Sequence, residues 1–183
     1  MISNPYDTDG HDFLVFDHPD TGFMLNRSQF VSGIFVFGER RFETAFEYIA
    51  SRVDFQQSCV AVFDLDAFLS DIFQRERQPV LNVALVCDLS TFSVPNRFLY
   101  EKFVRRNDDN ISPAFLAVRI GGHARMARCR FSEIRMLPPC LKKKLNEMGI
   151  LGCGFSGRRT VRFFLDVERI LANLLTQNRN PKS

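Results

Sequence analysis

The sequence predicts an α/β chain: a five-stranded, parallel, doubly wound sheet over residues 11–120, followed by a small all-α domain over residues 121–183. Three observations carry that expectation. Up to residue 120, short apolar runs alternate with segments of helical periodicity, as strands buried on both faces and joined by covering helices do. Past Gly121 and Gly122 the pattern becomes helical without intervening strands. The charge divides at nearly the same place: residues 1–118 hold 10 Lys or Arg and 17 Asp or Glu, net −7, whereas residues 119–183 hold 14 and 4, net +10.

The five strand candidates are FLVF (13–16), IFVF (34–37), VAVF (60–63), LNVALVC (81–87) and AFLAVRI (114–120). Between the second and third, ERRFETAFEYIASRV would set Phe42, Phe46, Ile49, Ala50 and Val53 on one side of a helix, with Glu39, Arg40, Arg41, Glu43, Glu47 and Arg52 largely on the other. After the third, AFLSDIFQRER presents Phe68, Leu69, Ile72 and Phe73 on one face. Pro95 can open a further helix, NRFLYEKFVRR, which the turn-prone NDDN at 107–110 ends. DTGFMLNRSQFVSG, between the first two runs, is the least regular of the helical connections. Connections of this length join parallel strands, and right-handed crossovers put helices on both faces of the sheet. Beyond Gly122, HARMARCRFSEIRML, PPCLKKKLNEMG and RRTVRFFLDVERILANLLTQ read as helices, the last two joined by ILGCGFSG. Phe164, Val167, Leu171 and Leu174 recur at helical spacing and form a seam for the domain's own core or for a partner copy.

With 183 residues, 45% of them apolar, 20 Phe and no Trp, the chain can bury one sizeable core or two small ones, which excludes a disordered class. Five cysteines (Cys59, Cys87, Cys129, Cys140, Cys153), with no CxxC pair, fit a reducing compartment better than a disulfide framework. The histidines are His11, His18 and His123; a cluster of His123, Cys129, Cys140 and Cys153 matches no zinc spacing, so neither metal nor cofactor is expected. The acidic start MISNPYDTDGHD lacks an apolar signal region, and no apolar run approaches the roughly 18 to 20 residues of a membrane span. A cytoplasmic protein is expected.

The stretch VFDLDAFLSD places two acids, Asp64 and Asp66, at the end of an apolar run. Taken alone it resembles the first motif of the haloacid-dehalogenase phosphatases, DxDGTLxD, which would make Asp64 a nucleophile and Asp66 a general acid; Ala67 and Phe68 stand where that motif has Gly and Thr. The longer segment from FLVFDHPD to VAVFDLD resembles the receiver domain of bacterial response regulators. The resemblance is carried by Asp17, His18 and Pro19, by Gly38 and Glu39 before FETAFEYIA, and by Asp64 at the phosphoacceptor position. It implies a receiver (flavodoxin-like) sheet with Mg²⁺ held by acids at the first strand, a hydroxyl after the fourth and a lysine near the end of the fifth. Here Phe16 replaces one acid and leaves Asp17 with Asp20 nearby; Cys87 falls at the hydroxyl position, or Asp88 or Ser90 under a shifted alignment; and Arg119 replaces the lysine. The expectation is a degenerate receiver that works without phosphorylation. The structural alternative is that Asp64 and Asp66 are a pair of exposed strand-end acids that cap the next helix.

In the basic part, FSEIRML, NEMGILGCGFS and RRTVRFFLDVERILANLL resemble in turn the opening, middle helix and recognition helix of a LuxR-type helix-turn-helix. The resemblance implies double-stranded DNA as partner. Ser156 would cap the recognition helix, Arg158, Arg159, Thr160 and Arg162 would lie in its first turns, and Lys142, Lys143 and Lys144 would meet phosphates. The function expected is a DNA-binding transcription regulator acting as a homodimer or as a heterodimer with another regulator. A phosphatase using Asp64 and Asp66, and a protein-interaction module without DNA binding, stand as alternatives.

Overall fold

The computed structural model describes residues 10–17, 21–36, 38–44, 46–76, 80–121, 124–130, 133–155 and 161–177. In chain order the elements are β1 (His11–Asp17), β2 (Gly22–Asn26), β3 (Phe30–Phe35), β4 (Arg40–Arg41), β5 (Ser51–Phe55), β6 (Ser58–Asp64) and α1 (Leu65–Phe73). There follow β7 (Val80–Asp88), α2 (Val94–Asn107), β8 (Ile111–Gly121), β9 (Ala124–Cys129), β10 (Arg135–Met136), α3 (Pro139–Glu147), β11 (Ile150–Phe155), β12 (Val161–Leu165) and α4 (Val167–Gln177). The strands make two six-stranded mixed sheets, ordered β10-β11-β12-β2-β1-β9 and β3-β7-β8-β6-β5-β4. The chain divides into two compact units that interleave in sequence, Met1–Ser28 with His123–Ile170, and Gln29–Gly122 with Leu171–Ser183.

This overturns the five-stranded parallel receiver sheet followed by an all-α helix-turn-helix domain. Four of the five expected strand runs lie in β1, β6, β7 and β8, and the fourth and fifth pair, but as antiparallel neighbours, and the first belongs to the other sheet. Among the described residues of the second unit, only β6 and β8 pair in parallel. That pairing is made possible by the long route through α1, β7 and α2.

The expected helix over ERRFETAFEYIASRV does not form. Its C-terminal part is β5, in which Val53 and Phe55 are buried and Asp54 between them is exposed, the period of two proper to a strand. β5 and β6 form a hairpin in which Phe55 pairs with Ser58, and Gln56 takes a left-handed φ of 54°. Such turns ordinarily take Gly or Asn, so FQQS carries no hairpin signal in the sequence. The apolar residues of the failed helix are still used. Ile49 is fully buried, and Phe46 meets the Phe103 ring edge-on at 4.9 Å. The core of this unit includes Val53, Val60, Val62, Ala84, Val86 and Ala117; each buried Val contributes roughly 1.5 to 3 kcal/mol over its exposed state.

The expected C-terminal helices form in part: the second is α3 and the latter half of the third is α4, whereas strands replace the first and the opening of the third among the described residues. ARMARC forms β9 and VRFFL forms β12 between β11 and β2, while ILGCGF, in the expected connection between the last two helices, forms β11. α3 does form, with prolines at its start, as expected of PPCLKKKLNE. α4 starts only after Asp166, whose Oδ1 accepts from Arg169 N at 3.1 Å. Asp166 N in turn donates to Gly149 O at 2.9 Å. Gly149 has a φ of +74°, and a Cβ there would lie 3.0 Å from Ile170 N, so both its backbone and its space require glycine. The seam expected for the domain's own core or for a partner copy goes largely into the fold: Phe164 lies in β12 against Phe13, Val167 and Leu171 are buried, and Leu174 is half-buried.

Candidate functional site

β6 ends at Asp64, which lies level with Arg119 of the parallel strand β8. Asp64 Oδ1 accepts from Ala67 N at 2.9 Å and so caps α1, satisfying one of the free N–H groups of its first turn. Its Oδ2 is 3.7 Å from Arg119 Nη1, and Arg119 Nη2 donates to Glu39 Oε2. One guanidinium thus spans two carboxylates. Burial opposes ionisation of Glu39, but hydrogen bonds from Ser51 and Arg119 and the charges of Arg119 and Arg41 outweigh it and hold its carboxyl below the usual range.

Asp66 is placed quite differently, although only two residues away. It is 1% exposed within a helix whose first six residues are all buried, and its Oδ1 accepts from Arg75 Nη2 at 3.1 Å. Arg75 reaches it because the chain turns back at Gln74, where φ is 50° and the backbone N–H returns to Ser70 O. Desolvation lowers the Arg75 pKa, and the Asp66 charge resists that fall. A nucleophile and a general acid must both face a substrate; here one acid caps a helix and the other is sealed in an ion pair.

The remaining receiver positions are divided between the two units and, within the second, between strand levels. Asp17 ends β1, in the other sheet and the other compact unit. Phe16, where an acid was expected, is fully buried and stacked on Phe23 at 5.4 Å. Cys87 lies on β7, which runs opposite to β8: Ala84 stands level with Arg119, and Cys87 is carried away to the level of Leu116. A parallel sheet would have brought these strand ends to one edge; the antiparallel pairing separates them. Cys87 is also fully buried, which pushes its thiol pKa far up, with Asp88 adding to the effect. Of the three positions within the second unit, Asp64 and Arg119 meet and Cys87 does not join them.

The residues expected to contact DNA are not presented on a helix-turn-helix. Ser156, Arg158, Arg159 and Thr160 lie outside the described residues, and Arg162 is a half-buried strand residue of β12, level with Gly22 of β2. Lys142, Lys143 and Lys144 are exposed on α3. Arg125 and Arg128 lie on β9, at the opposite end of the sheet from β10 with Arg135. The charge polarity of the sequence is weakened on folding but keeps its sign, because residues 1–28 join the basic 123–170 in one unit. Among the described residues, the first unit holds 10 basic and 6 acidic side chains, net +4, and the second holds 9 and 12, net −3.

The exposed face of α2 carries features the sequence reading left aside. Tyr100, Phe103 and Val104 point into the core, and Tyr100 O–H donates to Phe115 O at 3.3 Å. On the opposite side Val94 and Phe98 are 68% and 65% exposed. A depression of about 580 Å³ is lined by Phe98, Glu101, Lys102, Arg105 and Arg106. The i, i+4 spacing of Val94 and Phe98, out of phase with Tyr100 and Phe103, was a legible signal of a second apolar stripe.

Together these features define a two-sheet mixed β protein whose strand-end acids are bound up in capping and ion pairing. No family model matches the sequence, and no curated protein matches it. Among solved structures it is similar to the crystal structure of the scaffolding protein TtCheW from Thermoanaerobacter tengcongensis, with a TM-score of 0.58 and 8% identity, over 87% of this chain and 90% of that one. A likeness at that identity concerns the fold, and it replaces the receiver and LuxR-type resemblances. The reading of a DNA-binding regulator with duplex DNA as partner falls with the fold on which it rested. No described helix is long and apolar enough to cross a membrane.

Proposed function

We propose that this chain is a protein-interaction module that works as a scaffold and carries out no catalytic step of its own. The observation that carries the reading is the shared architecture with a scaffolding protein over 87% of the chain. The environment of the acids supports it: Asp64 is spent on the α1 cap and on Arg119, and Asp66 on Arg75. A scaffold needs a stable shape and several faces, and two sheets of six strands supply both.

The test is to purify the tagged chain from its own cells after nuclease treatment and to measure mass and stoichiometry by light scattering and mass spectrometry. A defined complex with at least one other protein, unchanged by Asp64→Ala, is expected. A free monomer that hydrolyses p-nitrophenyl phosphate with Mg²⁺, and loses that activity in Asp64→Ala, would overturn the proposal.

A further inference from the structure

The outer face of α2 is half apolar and half basic. Its N-terminal half offers Val94 and, one turn on, Phe98; its C-terminal half offers Lys102, Arg105 and Arg106. Arg97 is exposed as well. The single acid of the helix, Glu101, is paired with Arg105 at 2.7 Å, so the face keeps a positive excess. Cations in the last turn oppose the negative end of the helix dipole, and that accounts for Arg105 and Arg106 without any partner. It does not account for an aromatic side chain left 65% exposed beside them, at the rim of a depression that the same basic residues line.

We propose that this face of α2 docks an acidic amphipathic helix of a partner protein. An apolar anchor of the partner would cover Phe98 and Val94, and its carboxylates one turn away would meet Lys102 and Arg106. The inference rests on the interaction reading above and gives it a surface. At 14 residues α2 is about 21 Å long, enough for three or four turns of a second helix to lie along it. Charge complementarity selects an acidic partner and steers its approach. An anionic membrane is disfavoured because two apolar residues are too narrow a face to embed a helix. Duplex DNA is disfavoured because it would leave Phe98 uncovered and bring phosphates toward Glu101.

The experiment places the photo-crosslinker p-benzoylphenylalanine at position 98 of the full chain in its own cells, with positions 126 and 136, also exposed apolar sites, as controls. The peptide joined to position 98 is identified by mass spectrometry, synthesised, and titrated against the purified chain. The expected peptide is acidic and helical when bound. Its affinity should fall about tenfold or more in Phe98→Ala and in Lys102→Glu/Arg106→Glu, and the charge-reversed pair should recover binding to a Lys-substituted peptide. Crosslinks at 126 or 136 with none at 98 would overturn the α2 site and leave the scaffold reading standing. No protein crosslink from any position would count against both. A position-98 adduct to lipid or DNA, or equal binding to phosphatidylserine vesicles or duplex DNA, would also overturn the proposal.

Discussion

Gly121 and Asp66 are so close that a Cβ on Gly121 would stand 2.5 Å from Asp66 Cγ. The end of β8 therefore has to be glycine for the first turn of α1 to bury its carboxylate against Arg75. The contact joins the strand end to the ion pair and explains why an acid one residue from Leu65 is sealed from solvent.

Gly121→Ala should destabilise the chain by about 1 to 3 kcal/mol through overpacking. Asp66→Asn should cost about 3 kcal/mol, since it breaks a buried ion pair by removing one of its charges. Urea unfolding measures both. The two losses should fall short of their sum in the double variant, because each disturbs the same pair; full additivity would show that the sites are independent.

Asp64→Ala should cost about 1 kcal/mol through loss of the α1 cap, and Asp64→Asn should cost less because an amide oxygen can still accept from Ala67 N. Equal losses in thermal unfolding would place the effect in the Arg119 charge pair instead of the cap.

Glu39 gives stability a pH dependence of defined sign. Its carboxyl ionises below the ordinary 4.5 in the folded chain, so its contribution is present above that value and is lost as pH falls through the lower, folded value. The stability gap between the native chain and Glu39→Gln should be constant near neutrality and close in acid below the ordinary carboxylate range. A gap that widens on acidification would contradict the Arg119 pairing.

Phe164→Ala should cost about 2 to 3 kcal/mol, because the ring meets the fully buried Phe13 edge-on at 5.5 Å. On a protruding recognition helix the same change would be nearly neutral. Chemical denaturation distinguishes the two.

Thiol accessibility follows the burial of the strands. Cys140 on α3 is exposed, whereas Cys87 is fully buried with its pKa raised. In native protein, iodoacetamide with peptide mapping should label Cys140 first and Cys87 only after unfolding. Early labelling of Cys87 would place β7 at the surface.

The apolar runs at 13–16, 60–63, 81–87 and 114–120 are strands because Val, Ile and Phe in short blocks suit a buried pleat, and that much could be read locally. α1, α2 and α3 were legible too, from apolar spacing and from proline at the starts of α2 and α3. Strand direction was not, because it depends on which neighbour a strand meets. A run such as VRFFL carries both periodicities, since Phe163 and Phe164 serve a helix stripe or the two faces of a sheet equally well. Partners on both sides, β11 and β2, decide in favour of the strand.

The sequence by itself determined where apolar segments would be buried, where α1, α2 and α3 would start, and the abundance of acid at one end of the chain and base at the other. Only the tertiary structure decided that residues 1–28 and 123–170 share one unit. It also gave Asp64 to a cap and Asp66 to Arg75. The physical reason is that burial is a local property of side-chain chemistry, whereas pairing and electrostatics are set by distances between segments that only the closed sheets fix.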